Sequence, residues 1–178
     1  MKYDVMIIGS GPGGYVAAVR AAQLGFNTAV VERENLGGIC LNWGCIPTKA
    51  LLKSAQAFNY IKHSADYGVQ IEGSFKADMN AIVDRSRGVS ANMRKGVAHL
   101  MQKNNITVIE GEAKLTADRK VSVNMKDGSG EQLFEADHII LATGARSRNL
   151  PNMPQDGKKI IGYREAMTLR EQPNSMVV

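Results

Sequence analysis

Apolar positions first gather between Tyr3 and Ile8 (YDVMII), a run that stops at the glycine cluster GSGPGG. Alanines and apolar residues then recur at helical spacing through YVAAVRAAQLG, and Gly25 stands where a helix C-cap wants a residue free to turn left-handed. NTAVVE follows as a second buried strand ending in an acid, so the opening predicts a βαβ unit. A further helix is predicted over ALLKSAQAFNYIKHSADYG, with Leu51, Leu52, Ala55, Phe58 and Ile61 on its apolar side and a stop at Gly68. A longer one is predicted from Ala77 to about Asn104, with Met79, Ile82, Val83, Val97 and Leu100 facing inward. Then come the strands ITVIEGEAKL, KVSVNM and EQLFE, the last two joined by a turn at Lys126–Gly130, and HIILATGA as another buried strand. From Arg146 to Gly157 the chain becomes polar, with Pro151 and Pro154, as a surface connection does; the closing NSMVV reads as the start of another strand. The pattern predicts an α/β fold: a Rossmann-like domain with a parallel sheet, helices and a β-meander crossover.

Composition narrows the class without naming a function. At 178 residues, 44% hydrophobic and 22% charged, the chain can bury one ordinary core and the start of a second. The net charge is +5, but the 22 Lys and Arg are spread among 17 Asp and Glu. They form no basic block, aromatics are sparse, and no nucleic-acid motif occurs, so a solvated mixed-charge surface is expected rather than nucleic-acid binding. The opening is too short and too soon broken by Gly and Pro to read as a secretory signal. No run of about 18 apolar residues predicts a membrane span, so a cytoplasmic protein is expected.

Gly9, Gly11 and Gly14 satisfy G-x-G-x-x-G between a predicted strand and a predicted helix. Such a turn lets a pyrophosphate approach the backbone and meet the free N–H groups and positive dipole end of the helix. Glycines also make ordinary turns, so context matters. Glu32 closes the next strand 18 residues after Gly14, where a carboxylate can accept hydrogen bonds from an unphosphorylated adenosine ribose. NAD and FAD both carry that ribose, and the turn alone does not choose between them.

The segment GGICLNWGCIPTK holds the only two cysteines, Cys40 and Cys45. Two thiols so spaced at a helix start can approach closely enough for a disulfide if the first turn is irregular, and a helix N-terminus favours the thiolate. In a reducing compartment so short a disulfide is better suited to catalysis than to structure. Buried cysteines acting as small hydrophobes are the plain alternative, but they leave the adjoining Gly-Gly and Pro-Thr-Lys unexplained. A zinc site would need further ligands, and His63, His99 and His138 lack metal-site spacing, so no metal is expected.

These residues carry a resemblance. GGICLNWGCIPTKALL, together with YDVMIIGSGPGGYVAAVRAAQLG and the later IILATGA, resembles the FAD-dependent pyridine nucleotide-disulfide oxidoreductases. The Leu-Asn after the first cysteine and the Ile-Pro-Thr-Lys-Ala-Leu-Leu after the second are nearest the dihydrolipoamide-oxidising branch. Ile39, Trp43 and Thr48 depart from its commoner Thr, Val and Ser without removing a functional group. The resemblance implies that Gly9, Gly11, Pro12, Gly13 and Gly14 face the FAD pyrophosphate and that Glu32, with Arg33 beside it, meets the adenosine ribose. It places Gly37, Gly38 and Cys40 along the flavin, Gly111 and Ala113 by the adenine, and Thr143 and Gly144 at a second approach to FAD. Cys40 would exchange with dihydrolipoamide, Cys45 would lie against the flavin, and Lys49, four residues on, would sit by its reactive nitrogen.

The implied reaction oxidises dihydrolipoamide through a Cys40–Cys45 disulfide and FAD to NAD+, with a base for the second substrate thiol. The family supplies that base from a histidine–glutamate pair on a partner subunit, which none of this chain's histidines matches. A second glycine fingerprint for NAD is also missing. The expectation is therefore an N-terminal part of a longer enzyme: residues 1–147 as the first part of an FAD-binding domain, and residues 148–178 as the connection into an NAD-binding domain. Alone it would show little turnover. The resemblance implies a homodimer serving, through a lipoylated protein, a 2-oxo acid dehydrogenase or glycine cleavage complex. The alternatives are a glutathione or mercuric reductase-like enzyme and a non-catalytic FAD-binding module.

Overall fold

The computed structural model describes residues 2–178. The chain packs as two compact units, Met1–Asn42 with Ala91–Arg146 and Trp43–Ser90 with Ser147–Val178.

The first unit is built on five strands, β1 (Lys2–Ile8), β2 (Thr28–Glu32), β3 (Thr107–Leu115), β4 (Val121–Met125) and β5 (Glu131–Leu141). In the order β3-β2-β1-β5 neighbouring strands run parallel. β3 and β5 extend past that sheet and each pairs antiparallel with β4, so the strand pairing closes on itself. Alternate residues point into the ring: Met6 and Ile8, Ala29 and Val31, Ile109, Val121 and Val123, and Phe134 form one buried cluster with Tyr3. The opposite face of β1 and β2 buries Ile7 and Val30, and α1 (Pro12–Gln23) packs on these two strands. This two-sided burial is why both strands read as continuous apolar runs. Leu24 caps α1 and Gly25 follows at φ +91°. The β4–β5 hairpin turns where the sequence predicted, with Gly128 and Gly130 at positive φ and the Met125 amide donating to the Gly130 carbonyl at 2.9 Å.

Two helices of the cysteine segment follow one another: α2 (Gly38–Trp43) and α3 (Cys45–Lys62), parted by Gly44. The cysteine segment is thus itself helical. Pro47 falls in the first turn of α3, where its missing N–H breaks no intrahelical bond. A 3-10 turn, Ser64–Tyr67, follows α3 and ends at Gly68 in the left-handed region. α4 (Met79–Lys103) is the long helix, and α5 (Tyr163–Ala166) a single short turn.

The structure corrects several expectations. EQLFE and HIIL belong to one strand, β5, whose end is not buried: Ile140 is 39% and Leu141 61% exposed. β4 pairs only as far as Phe134, so the remainder of β5 has a strand partner on the β1 side alone among the described residues. On α3 only Pro47 and Ala50 are buried; Leu52, Ala55 and Ile61 are exposed, because one helix face cannot cover so many apolar positions. On α4 Val83 and Val97 are buried as expected, but Met101 takes the inward place expected of Leu100. Asn174–Val178 form no strand with any of the described residues and are exposed. The polar stretch 146–157 is exposed throughout, as a surface connection should be.

Candidate functional site

Within the first unit, β1, β2 and β5 finish together. The Gly9 amide donates to the Val31 carbonyl and the Ala142 amide to the Ile8 carbonyl, each at 2.8 Å. The turns after these strands therefore converge at the carboxyl ends of a parallel sheet, where α/β folds bind ligands. Gly9 has φ +99°, and a Cβ there would lie 2.3 Å from the Ala142 oxygen. A Cβ at Gly14 would lie 1.8 Å from the Gly9 oxygen. These two glycines are demanded by the protein's own backbone.

Gly11 and Gly13 are different. A Cβ at Gly11 would meet only the Gly38 Cα at 4.0 Å, and one at Gly13 would meet nothing. Gly11 is the N-cap of α1, with ordinary backbone angles and no side-chain cap. The amides of Gly13 and Gly14 precede the first intrahelical bond, from Tyr15 to Gly11 at 2.9 Å. Clear space, unclaimed amides and the positive helix end fit a dinucleotide pyrophosphate.

Glu32 ends β2 half-buried. One carboxylate oxygen accepts from the amide and hydroxyl of Ser10, and the other from the Glu34 amide at 2.8 Å. Ser10, which in the sequence is merely the variable residue between two glycines, is fully buried. It orients the acid while leaving lone pairs for a ribose. Arg33 points to Glu112 on β3 at 3.4 Å, an exposed pair worth little stability. Gly111 is buried, and a Cβ there would strike Val123 at 2.5 Å, so packing against β4 already explains this glycine. Ala113 is half-buried on the same strand, whereas Thr143 and Gly144 are exposed just beyond β5.

The loop between β2 and α2 lies against the glycine turn. Gly37 donates to the Ser10 carbonyl at 3.0 Å, and a Cβ on Gly38 would come within 2.6 Å of the Gly11 Cα. Both glycines have positive φ. Cys40, half-buried on α2, is carried by this loop. The first unit therefore brings together Gly9, Gly11, Gly14, Glu32, Gly37, Gly38 and the helix bearing Cys40.

In the second unit Cys45 opens α3, exposed, and Lys49 follows four residues later on the same helical side, also exposed. Trp43 meets two cations: the Arg87 guanidinium sits 4.8 Å and that of Arg164 4.9 Å from its ring centre. Trp43→Ala should therefore destabilise this unit by about 2–3 kcal/mol, combining lost apolar area with two cation–π contacts. Chemical denaturation followed by circular dichroism checks this. His63 bonds the Asn59 carbonyl at 2.9 Å and, like His99 and His138, is exposed. No group of three or more His, Cys, Asp or Glu suited to a metal occurs among the described residues.

Residues 3–178 match the pyridine nucleotide-disulphide oxidoreductase family model. The chain belongs to this family. Among curated proteins it is similar to the dihydrolipoyl dehydrogenase of Rhizobium etli, 53% identical over 99% of this chain and 40% of that protein. The dihydrolipoyl dehydrogenase of Chlorobaculum tepidum is 50% identical over 99% of the chain and 37% of its own length. A dihydrolipoyl dehydrogenase of Bacillus subtilis is 40% identical over 97% and 37%. The crystal structure of LpdA from Mycobacterium tuberculosis shares the fold, with TM-score 0.84 at 24% identity over 96% of this chain and 38% of that one. The chain thus spans about two-fifths of the relatives it matches. Among the described residues no helix is long and apolar enough to cross a membrane.

Proposed function

We propose that this chain is the FAD- and disulfide-bearing part of a dihydrolipoyl dehydrogenase. The observation that carries the reading is the backbone approach of Gly38 to Gly11, which seats the Cys40 loop against a turn shaped for a dinucleotide. The names of relatives 40–53% identical across nearly the whole chain support the same reading.

In the proposed reaction a dihydrolipoamide thiolate attacks Sγ of Cys40 in a Cys40–Cys45 disulfide, and Cys45 departs as a thiolate. The second substrate thiol, deprotonated by a base from elsewhere in the whole protein, attacks the mixed disulfide and releases Cys40. Lipoamide leaves oxidised, and the cysteine pair holds two electrons. FAD, when bound, supplies an acceptor for that pair and a route for hydride to NAD+. Gly9, Gly11, Pro12, Gly13 and Gly14 would hold its pyrophosphate, Glu32 and Arg33 its ribose end and Gly111 and Ala113 its adenine, while Thr143 and Gly144 would approach it from the second small-residue turn. Lys49 offers a positive charge near the flavin. Residues 1–147 belong to the FAD-binding domain and 148–178 lead into an NAD-binding domain. The whole protein is a cytoplasmic homodimer acting on a lipoylated protein of a 2-oxo acid dehydrogenase or glycine cleavage complex. The 178-residue chain alone has little or no turnover.

The test is the anaerobic visible spectrum of the FAD-supplemented chain before and after stoichiometric dithiol. A flavin spectrum that gains a long-wavelength band on reduction is expected. Bound flavin unresponsive to the thiols overturns the redox assignment and favours a binding module. Failure to take up flavin overturns the claim that this chain holds it. A steady-state assay with dihydrolipoamide and NAD+ giving rates near those of full-length relatives overturns the statement about turnover.

A further inference from the structure

Arg94, on α4, is far in sequence from every motif above, yet it reaches the redox loop. One guanidinium nitrogen, Nη1, donates to Oδ1 of Asn35 at 3.2 Å and to Oδ1 of Asn42 at 3.3 Å. These two asparagines stand at the two ends of the segment that holds Gly37, Gly38 and Cys40. Asn42 is 4% exposed, and its amide nitrogen donates to the carbonyls of Leu36 at 3.0 Å and Gly38 at 2.9 Å. The Gly38 amide in turn donates to the Asn35 carbonyl at 3.3 Å. One cation thus closes a loop whose two adjacent glycines both have positive φ and which would otherwise have many conformations open to it.

We propose that Arg94 is a positioning residue for Cys40: by pinning Asn35 and Asn42 together it fixes the loop and the helix start that present this thiol. Its importance for catalysis rests on the reading of Cys40 as the exchanging cysteine. The positioning itself does not depend on flavin. Arg94 lies outside the glycine and cysteine fingerprints, and its two acceptors are neutral amides, so it serves geometry rather than charge neutralisation at these contacts.

The experiment measures the rate of iodoacetamide alkylation of each cysteine in the reduced chain, by peptide mass spectrometry, so that Cys45 is an internal reference. Arg94→Met keeps the aliphatic stem and loses both donors. Two lost hydrogen bonds should raise the Cys40 rate about tenfold while Cys45 changes less than about twofold. Arg94→Lys, able to restore a donor, should return Cys40 most of the way to the native rate. Asn35→Ala removes one bond only and should give a rise of about threefold, which covers the case in which Arg94→Met does not fold. An unchanged Cys40 rate overturns the proposal. So does a parallel rise at both cysteines, or a lysine variant indistinguishable from methionine, since either marks general loosening. Flavin uptake is scored separately, so a chain that binds no FAD but shows the selective Cys40 response refutes the cofactor reading and leaves the positioning role standing.

Discussion

Gly14→Ala is expected to prevent folding of the first unit, whereas Gly11→Ala and Gly13→Ala leave it folded and weaken nucleotide binding. At position 14 the new methyl would sit 1.8 Å from the Gly9 carbonyl oxygen, with the Ile7 side chain 3.4 Å away. Relief would require moving α1 off β1, which bury Ala18 and Ile7 in their packing. A backbone-on-backbone conflict of this kind costs more than about 4 kcal/mol, a large share of the roughly 5–15 kcal/mol by which a domain is stable. At Gly11 a methyl has room and the backbone angles suit any residue. At Gly13 a methyl meets nothing within the protein, and replacing a helical glycine stabilises by about 0.5–1 kcal/mol. A pyrophosphate resting on that surface would be displaced, weakening FAD binding by roughly tenfold or more at about 1.4 kcal/mol per decade. Thermal melting and FAD titration of the three variants check both halves. If Gly11→Ala and Gly13→Ala bind FAD as the native chain does, the glycine turn is not the cofactor site.

Cys45→Ser is expected to abolish the two-electron chemistry outright. Mild oxidation of the native chain should produce an intramolecular Cys40–Cys45 disulfide, seen as a mass loss of two hydrogens that a dithiol reverses. With serine at 45 no such species can form, and Cys40 is left to react only with external thiols. Where flavin is bound, its reduction by dihydrolipoamide should slow by about a thousandfold or more, as when one member of a catalytic unit is removed. Anaerobic stopped-flow mixing reads this, and mass spectrometry reads the disulfide without flavin. Persistence of dithiol-driven flavin reduction in Cys45→Ser would mean that the electrons take another path. The neighbouring Trp43 gives a control: Trp43→Phe keeps an aromatic face for Arg87 and Arg164 and should preserve disulfide formation.

Much of the site was legible because its chemistry is local. A strand, a glycine turn and a helix in immediate succession fix where an anion can meet unpaired amides, and two cysteines five positions apart need little tertiary help to be noticed. The partners that hold those parts were not legible. Ser10 reads as filler between glycines until its amide and hydroxyl are seen on Glu32. Arg94 reads as one of many scattered cations until its nitrogen is found between Asn35 and Asn42. Trp43 reads as a departure from a commoner valine, with nothing to suggest the two guanidinia over its ring.

The sequence by itself determined the β1–α1–β2 unit, the hairpin at Lys126–Gly130, the long helix and the two fingerprints, since each depends on periodicity or turn chemistry within a few neighbouring residues. Only the tertiary structure decided that Met101 and not Leu100 turns inward, that β5 ends with Ile140 and Leu141 uncovered, and which glycines serve the backbone and which leave space for a ligand. A pattern of apolar residues says which side chains gain from burial. Which of them is covered, and by what, depends on contacts between segments distant along the chain, and these exist only once the strands have closed their pairing.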